Sequence, residues 1–322
     1  MSVNSVIDQV YVINLDKDTD RLERFDAQMK EFGINYTRIP AVLGSTLGES
    51  PQITAFCNRF CTDGVRGCAL SHQNIWADMV KNSYKNVLIF EDDVVLKPDF
   101  NEIFSAAWNE LPDEYDIFYL GCSILCDNSY AISRLVNTIY GSGPQRESEH
   151  INRVKGSIGL HAYILSNKCA RKLSQLKINW AIDNEIVGWI AKYNLAAYAS
   201  NPSIAFVNET GSGSNLSDSY PPLLNRVLHS IPVTEGAGID HFTSENVFQI
   251  AGCALNVNQL VLMLCIFLVP YRYAPYFFLW LLLECIVSGN IRATGKFGGL
   301  LLIALGLKYW ALKMWRYAKY RK

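Results

Sequence analysis

Short apolar runs and helically spaced apolar positions alternate along the front of the chain. Val10–Leu15 (VYVINL) is an apolar run with β-branched residues and polar flanks, the pattern of a buried strand. Between Asp18 and Phe32, the residues Leu22, Phe25, Met29 and Phe32 fall at helical spacing, and Gly33 stands where such a helix would stop. Tyr36–Val42 predicts a second strand, followed by an irregular stretch to about Gly64. Gly67–Asn82 predicts a helix with Ala69, Ile75, Trp76 and Met79 inward, and Asn86–Phe90 a third strand. Helix is expected again at Phe100–Trp108 and strand at Tyr115–Gly121, whereas the polar, weakly periodic residues 122–155 predict a mobile loop or lid. Strand at Ile158–Ser166, helices at Asn167–Leu176 and Ala181–Tyr193, and short strands at Ala196–Ala199 and Ser203–Val207 complete the pattern. Such alternation predicts an α/β sheet packed on both faces.

After Ile250 the pattern changes. Leu260–Pro270, Tyr276–Ser288 and Phe297–Leu307 are apolar blocks separated by basic residues. A membrane span needs about 20 mostly apolar residues, so these blocks predict spans, a re-entrant hairpin or interfacial helices; a buried helical subdomain is the alternative. The end of the chain interleaves Trp and Tyr with Lys and Arg, the mix found at headgroup depth. Two regions are therefore expected, 1–250 and 251–322.

Charge sharpens that division. Nine of the 29 Lys and Arg but only one of the 30 Asp and Glu, Glu284, lie beyond Ile250, leaving −9 on the front and +8 on the tail. The net charge of −1 gives no global reason to expect nucleic acid. The amino-terminal residues lack a charged stretch followed by a long apolar core, so no secretory signal is read there. The nine Cys show no paired zinc spacing and are expected as reduced thiols. With an even number of crossings, or none, the front region shares the side of the basic tail, which is expected to be cytoplasmic; reduced thiols and the absent signal agree, and the sequons at Asn208 and Asn215 then occur by chance.

Chemistry concentrates in Val87–Leu96 (VLIFEDDVVL), where a buried run meets Glu91, Asp92 and Asp93. Each charge loses solvation there unless something compensates it. In an open α/β sheet the ligand crevice lies at the carboxyl ends of the strands. Alternation would turn Glu91 and Asp93 to one side, a hard oxygen pair suited to Mg²⁺ or Mn²⁺. The alternatives are a solvated turn or a phosphoacceptor cluster.

Four phrases in order, VYVINLDKDTDRLERF, GCALSHQNIW, VLIFEDDVVL and GLHAYILSNKCARKL, resemble the family 25 glycosyltransferases: bacterial lipooligosaccharide enzymes, collagen galactosyltransferases and relatives in large DNA viruses. The resemblance covers roughly Val10 to Ser217. It implies a GT-A-like, Rossmann-related mixed sheet flanked by helices, a UDP-sugar donor with galactose first among sugars, a divalent cation, and inversion at the anomeric carbon. It makes Glu91 and Asp93 the metal ligands and Asp92 a donor contact. It draws Asn14, Asp16, Arg21, Ser71, His72 and His161 toward the nucleotide sugar, although solvated or structural roles are open for each. The acceptor would be a glycan, glycolipid or glycoprotein.

An inverting transfer needs a base; the residues alone leave Asp183 and Glu185 open between that role and a helix-start acid favoured by the macrodipole, and the resemblance, which has an acid in this area, implies Asp183 as the base, with Glu185 second. The hydrophobic tail departs from the soluble members of the family. A membrane-tethered, non-catalytic binder and a metal-dependent phosphotransfer domain remain competing functions.

Overall fold

Val10, Val12, Val87, Leu88 and Ile89 are buried on both faces of their strands, which makes them the centre of a sheet and not its rim. The computed structural model describes residues 1–207, 221–235, 237–250 and 253–320. The elements in chain order are β1 (Gln9–Asn14), α1 (Thr19–Phe32), β2 (Thr37–Pro40), α2 (Ala55–Phe60), α3 (Asp63–Asn82), β3 (Asn86–Glu91), β4 (Val94–Leu96), α4 (Phe100–Glu110), β5 (Ile117–Tyr119) and α5 (Ala131–Tyr140). They continue with β6 (Gln145–Arg146), β7 (Ile151–Arg153), β8 (Ala162–Ser166), α6 (Asn167–Leu173), α7 (Ile182–Tyr193), β9 (Ala197–Ser200) and β10 (Ala205–Val207).

Eight of these strands form one mixed sheet in the order β2-β1-β3-β8-β5-β9-β7-β6. β1 is parallel to β2 and β3, and β5 is parallel to β9, while β8 runs antiparallel between β3 and β5. The carboxyl ends of β1, β2, β3, β5 and β9 therefore share one edge. Phe25, Phe90, Phe100, Phe104 and Phe118 fill a core beside the sheet. Gly33 ends α1 at φ 67°, a left-handed cap that glycine adopts without strain. This is the mixed α/β sheet flanked by helices that the sequence predicts.

Three expectations need correction. The segment 122–155 holds α5 and the β6–β7 hairpin, and β7 pairs with β9 inside the main sheet. Its helix is hard to see because the inward positions are polar. Ser133 and Asn137 are buried and bonded to backbone carbonyls, while Leu135 and Ile139 face outward. Second, the irregular stretch before Gly64 contains α2, and α3 starts at Asp63 because the Thr62 hydroxyl accepts the Val65 N–H as its cap. Third, four cysteines form disulfides, Cys57–Cys61 and Cys122–Cys126, with Cα separations of 4.6 and 5.9 Å. The reduced-thiol expectation fails for these two pairs. The sequons at Asn208 and Asn215 lie outside the described residues.

Contacts divide the chain into two units, Met1–Asn215 with Ile231–Gly238, and Leu216–Ser230 with Ile239–Lys322. The first also holds the small ribbon β11 (Pro232–Thr234) and β12 (Ala237–Gly238). The second contains α8 (Pro222–His229), α9 (Ile239–Thr243), β13 (Asn246–Ile250), β14 (Cys253–Asn256), α10 (Val257–Leu268), α11 (Ala274–Ser288) and α12 (Ile291–Tyr320). The division therefore falls earlier than Ile250, because residues before that point are tied to the apolar helices: Glu284 of α11 accepts the Leu223 and Leu224 N–H groups of α8 at 2.8 and 3.1 Å.

Over Ile291–Tyr317, 27 residues, α12 is long and apolar enough to cross a membrane. α10 and α11 extend only about 18 and 22 Å at 1.5 Å per residue, short of a hydrocarbon core of about 30 Å. Ile266, Leu281, Phe297, Leu301 and Ala304 form their small core, while Leu264, Leu279, Leu302 and Trp310 face outward.

Candidate active site

The end of β3 delivers Glu91 to the shared edge, and a turn carries Asp92 and Asp93 onward to β4. Strand alternation stops at Glu91, so the predicted pairing of Glu91 with Asp93 on one side does not apply. Asp92 and Asp93 instead share a guanidinium: Arg21 Nη1 lies 2.9 Å from Asp92 Oδ1 and 3.2 Å from Asp93 Oδ2. Both partners of the first contact are buried, and this arginine compensates the charges that the sequence left unexplained. Arg21 reaches them from the first turns of α1.

Asn14, the last residue of β1, completes the group. Its amide donates to Asp92 Oδ2 at 2.7 Å, and its Oδ1 accepts from Arg38 Nε at 2.8 Å. Arg38 also bonds Asp16, whose side chain is 83% exposed, so that ion pair adds little stability. Burial pushes the Asp92 carboxyl up, the bonds from Asn14 and Arg21 oppose this, and the charge of Glu91 adds to the rise. Burial disfavours the charge on Arg21, but Asp93 and Asp92 outweigh it and hold the guanidinium more firmly protonated.

A second polar chain holds Glu91. Trp76 Nε1–H donates to the Tyr163 hydroxyl at 2.9 Å, and that hydroxyl lies 3.0 Å from His72 Nδ1. His72 Nε2 stands 3.2 Å from Glu91 Oε1. Burial keeps the Tyr163 phenol protonated far above its ordinary range, and its hydroxyl bridges Trp76 and the Nδ1 side of the His72 ring, whose Nε2 faces Glu91. Burial raises the Glu91 carboxyl, but His72, then His161 and Arg21, outweigh it and the net shift is downward. His161 precedes β8 and is fully enclosed; a Cβ on Gly121 would lie 2.0 Å from its Nε2, so glycine is required there.

Ser71 has a different role. Its hydroxyl donates to the Gly67 carbonyl and accepts the Val42 N–H, both at 2.8 Å. A Cβ on Gly67 would meet the Val42 carbonyl oxygen at 2.4 Å. The GCALSH phrase thus serves two ends: Gly67 and Ser71 clamp residues 42–44 to α3, and His72 orients Glu91.

Asp183 lies in the first turn of α7 and accepts the Asn184 N–H at 2.7 Å. Burial, and then the charge of Glu91, push its carboxyl up against bonds from the Asn184 and Gly159 backbones. It therefore feels the charge of Glu91, the first member of the acidic triplet. Glu185, two residues and about 200° further round the helix, is raised by burial and feels the Asn179 backbone and Lys192 instead. The edge thus gathers Asn14, Arg21, His72, Glu91, Asp92, Asp93, His161 and Asp183, and leaves Asp16, Ser71 and Glu185 outside that group. Sequence reasoning missed Arg38, Tyr163 and Cys68. Tyr163 stands two residues after His161, and Cys68 four before His72, spacings that place each pair on one face.

Among the described residues, one group of three His, Cys, Asp or Glu side chains brings its ligand atoms within 4.8 Å: Cys68, His72 and Glu91. A divalent cation fits beside Glu91 in this respect, whereas Asp93 is bonded to Arg21.

The family model described as glycosyltransferase family 25 (LPS biosynthesis protein) matches residues 7–187, more than half of the chain. A glycosyltransferase 25 family member of Drosophila melanogaster is 26% identical over 229 residues, 66% of this chain and 37% of that protein. Procollagen galactosyltransferase 1-A of Xenopus laevis is 30% identical over 129 residues, 35% of this chain and 21% of its own length. Inactive glycosyltransferase 25 family member 3 of Homo sapiens is 32% identical over 128 residues, 35% of this chain and 22% of its own length. The chain thus spans from about a fifth to little more than a third of these relatives' lengths.

Proposed function

The chain belongs to glycosyltransferase family 25, and from that premise we propose that the sheet edge binds a nucleotide sugar and transfers its glycosyl group with inversion. The observation that carries this reading is the convergence of Arg21, Glu91, Asp92 and Asp183 at the carboxyl ends of parallel strands, where α/β sheets place their ligands.

In the proposed reaction the acceptor hydroxyl oxygen bonds to the anomeric carbon as the bond from that carbon to the diphosphate oxygen breaks. The electron pair leaves with the diphosphate, and the hydroxyl proton passes to Asp183. A carboxyl raised by burial suits that task, because a stronger base accepts the proton more readily. Asn14 and Asp92 orient the donor, and Arg21 places a fixed positive charge beside the departing diphosphate. His72 holds the Glu91 carboxylate in place. A divalent cation beside Glu91 would add Lewis-acid neutralisation of the leaving group; Asp93 would share it only by loosening its bond to Arg21.

The donor is proposed as a UDP-sugar, galactose first, and the acceptor as a glycan, glycolipid or glycoprotein. The second unit is proposed to hold the chain at a membrane through α12. A single crossing would put the basic end of α12 on the face opposite the residues before it, and basic ends favour the cytoplasm. Together with the two disulfides, this supports an oxidising, non-cytoplasmic side for residues 1–207, in place of the cytoplasmic face expected from reduced thiols.

The similarity to a human relative named inactive favours a second reading, a carbohydrate binder without turnover. The purified chain, incubated with a panel of nucleotide sugars with Mn²⁺ or with chelator, separates the two. Cation-dependent release of nucleoside diphosphate is the expected result. Binding without release selects the binder, and neither binding nor release overturns both.

A further inference from the structure

The edge that gathers the acidic residues continues past them to β5 and β9. Just beyond the carboxyl ends of these two strands lies a cavity of about 370 Å³. Cys122, which follows β5, and Ser200, the last residue of β9, line it, and Asn152 reaches it from β7, opposite Ala199 of β9. Hydrogen bonds tie it to the proposed transfer site. The Glu91 N–H donates to the His161 carbonyl at 3.0 Å, and His161 Nε2 lies 3.4 Å from the Ala205 carbonyl oxygen. The hydroxyl of Ser203, a lining residue, donates to that same oxygen at 3.1 Å. We propose that this cavity binds a neutral sugar unit of the acceptor. The inference rests on reading the edge as the transfer site, and narrows the acceptor from any hydroxyl to that of a saccharide.

Size is the first argument. Pockets that take small ligands run from about 300 to 1,000 Å³, so the cavity suits a compact ring. The lining is the second. Small-ligand pockets are mostly apolar with a few polar groups, whereas here Asn128, Asn152, Asn201 and Ser200 stand beside the rings of Tyr130 and Phe206. Amides and hydroxyls both donate and accept, as a ligand built of hydroxyl groups requires. An aromatic ring adds a flat apolar face for the C–H side of a sugar. These groups are open to a ligand. Among the described residues, the Asn152 side-chain amide and the Tyr130 hydroxyl make no hydrogen bond, and neither ring packs on another.

Charge is the third argument, and it separates this cavity from the donor. Lys97 is the one cation among the described lining residues, and its Nζ pairs with Glu235 Oε2 at 2.6 Å. Asp127 Oδ1 accepts from the N–H and hydroxyl of Ser129 at 2.9 and 2.7 Å. The lining is therefore slightly acidic and offers no free positive charge to a diphosphate. A neutral ligand meets no such penalty.

The test uses the full chain and a panel of methyl glycosides: galactoside, glucoside, mannoside, xyloside and N-acetylglucosaminide. Binding is read by saturation-transfer NMR and titration. At least one glycoside is expected to bind, and excess UDP with Mn²⁺ should leave it in place. Asn152→Ala and Tyr130→Ala should each weaken that binding by about tenfold, the loss of one hydrogen bond or ring contact, with the thermal midpoint kept. No bound glycoside, displacement by UDP, or native affinity in either folded variant overturns the site. Should Asn152→Ala fail to fold, Tyr130→Ala decides alone, because the Tyr130 side chain makes no cap bond at the start of α5. Donor hydrolysis is scored separately. Hydrolysis without glycoside binding removes the cavity and leaves the transfer reading. Glycoside binding that depends on Asn152 and Tyr130, without hydrolysis, removes the transfer reading and leaves a sugar site.

Discussion

Both units of this protein bury charged side chains, and they satisfy them in opposite ways. In the first unit, Glu91, Asp92 and Asp93 are answered by other titratable side chains, His72 and Arg21. In the second, Glu284 receives the Leu223 and Leu224 N–H groups that open α8, and Lys308 donates to the Ile266 and Val269 carbonyls at the end of α10. An anion at a helix start and a cation at a helix end need no side-chain partner, because the unpaired backbone groups and the macrodipole hold them. Charges held by backbone fix architecture. Charges held by other charges can exchange partners when a substrate arrives, and the transfer site is proposed where that arrangement occurs.

Four substitutions probe this contrast. Asp183→Asn should lower the turnover number by about a hundred- to ten-thousandfold with the thermal midpoint and donor affinity kept; steady-state kinetics and calorimetry check it. In the native chain the rate should fall as pH drops through the Asp183 pKa, which burial raises above the ordinary aspartate value near 3.9, and the variant should lose that limb. Arg21→Met removes the guanidinium that Asp92 and Asp93 share and should cost about 3–5 kcal/mol in denaturant unfolding. Glu284→Ala should cost about 1–3 kcal/mol by orphaning two N–H groups, with donor hydrolysis unchanged. The smallest effect is expected for Glu110→Gln. Glu110 accepts from Ser148 and His150 and is held at about 2. A depressed carboxyl stabilises the fold above its unfolded value and loses that contribution as pH falls toward 2. Native and variant midpoints should therefore differ slightly at pH 7 and converge in acid.

The parallel strands were legible because burial on both faces writes them as continuous apolar runs, as in Val10–Ile13 and Val87–Phe90. α5 was not legible: its inward residues, Ser133 and Asn137, are polar, so apolar periodicity marks its outer side. The acidic triplet announced itself by cost, and Arg21 was named as a candidate, yet its partners could not be read. Which carboxylates it bridges depends on β3 ending at Glu91, and the turn after it cancels the alternation that would pair Glu91 with Asp93. Arg38 and Cys68 were missed because each carries meaning only beside a strand or helix far away in the chain. The disulfides were missed for a local reason: α2 brings Cys57 and Cys61 one turn apart, and a four-residue spacing alone does not announce a pair.

The most direct test places three chains side by side in one donor-hydrolysis time course: native, Asp92→Asn and Glu284→Gln. Native and Glu284→Gln should release nucleoside diphosphate alike, and Asp92→Asn at about a hundredth of that rate or less. Equal release by Asp92→Asn, or equal impairment of both variants, would contradict the account.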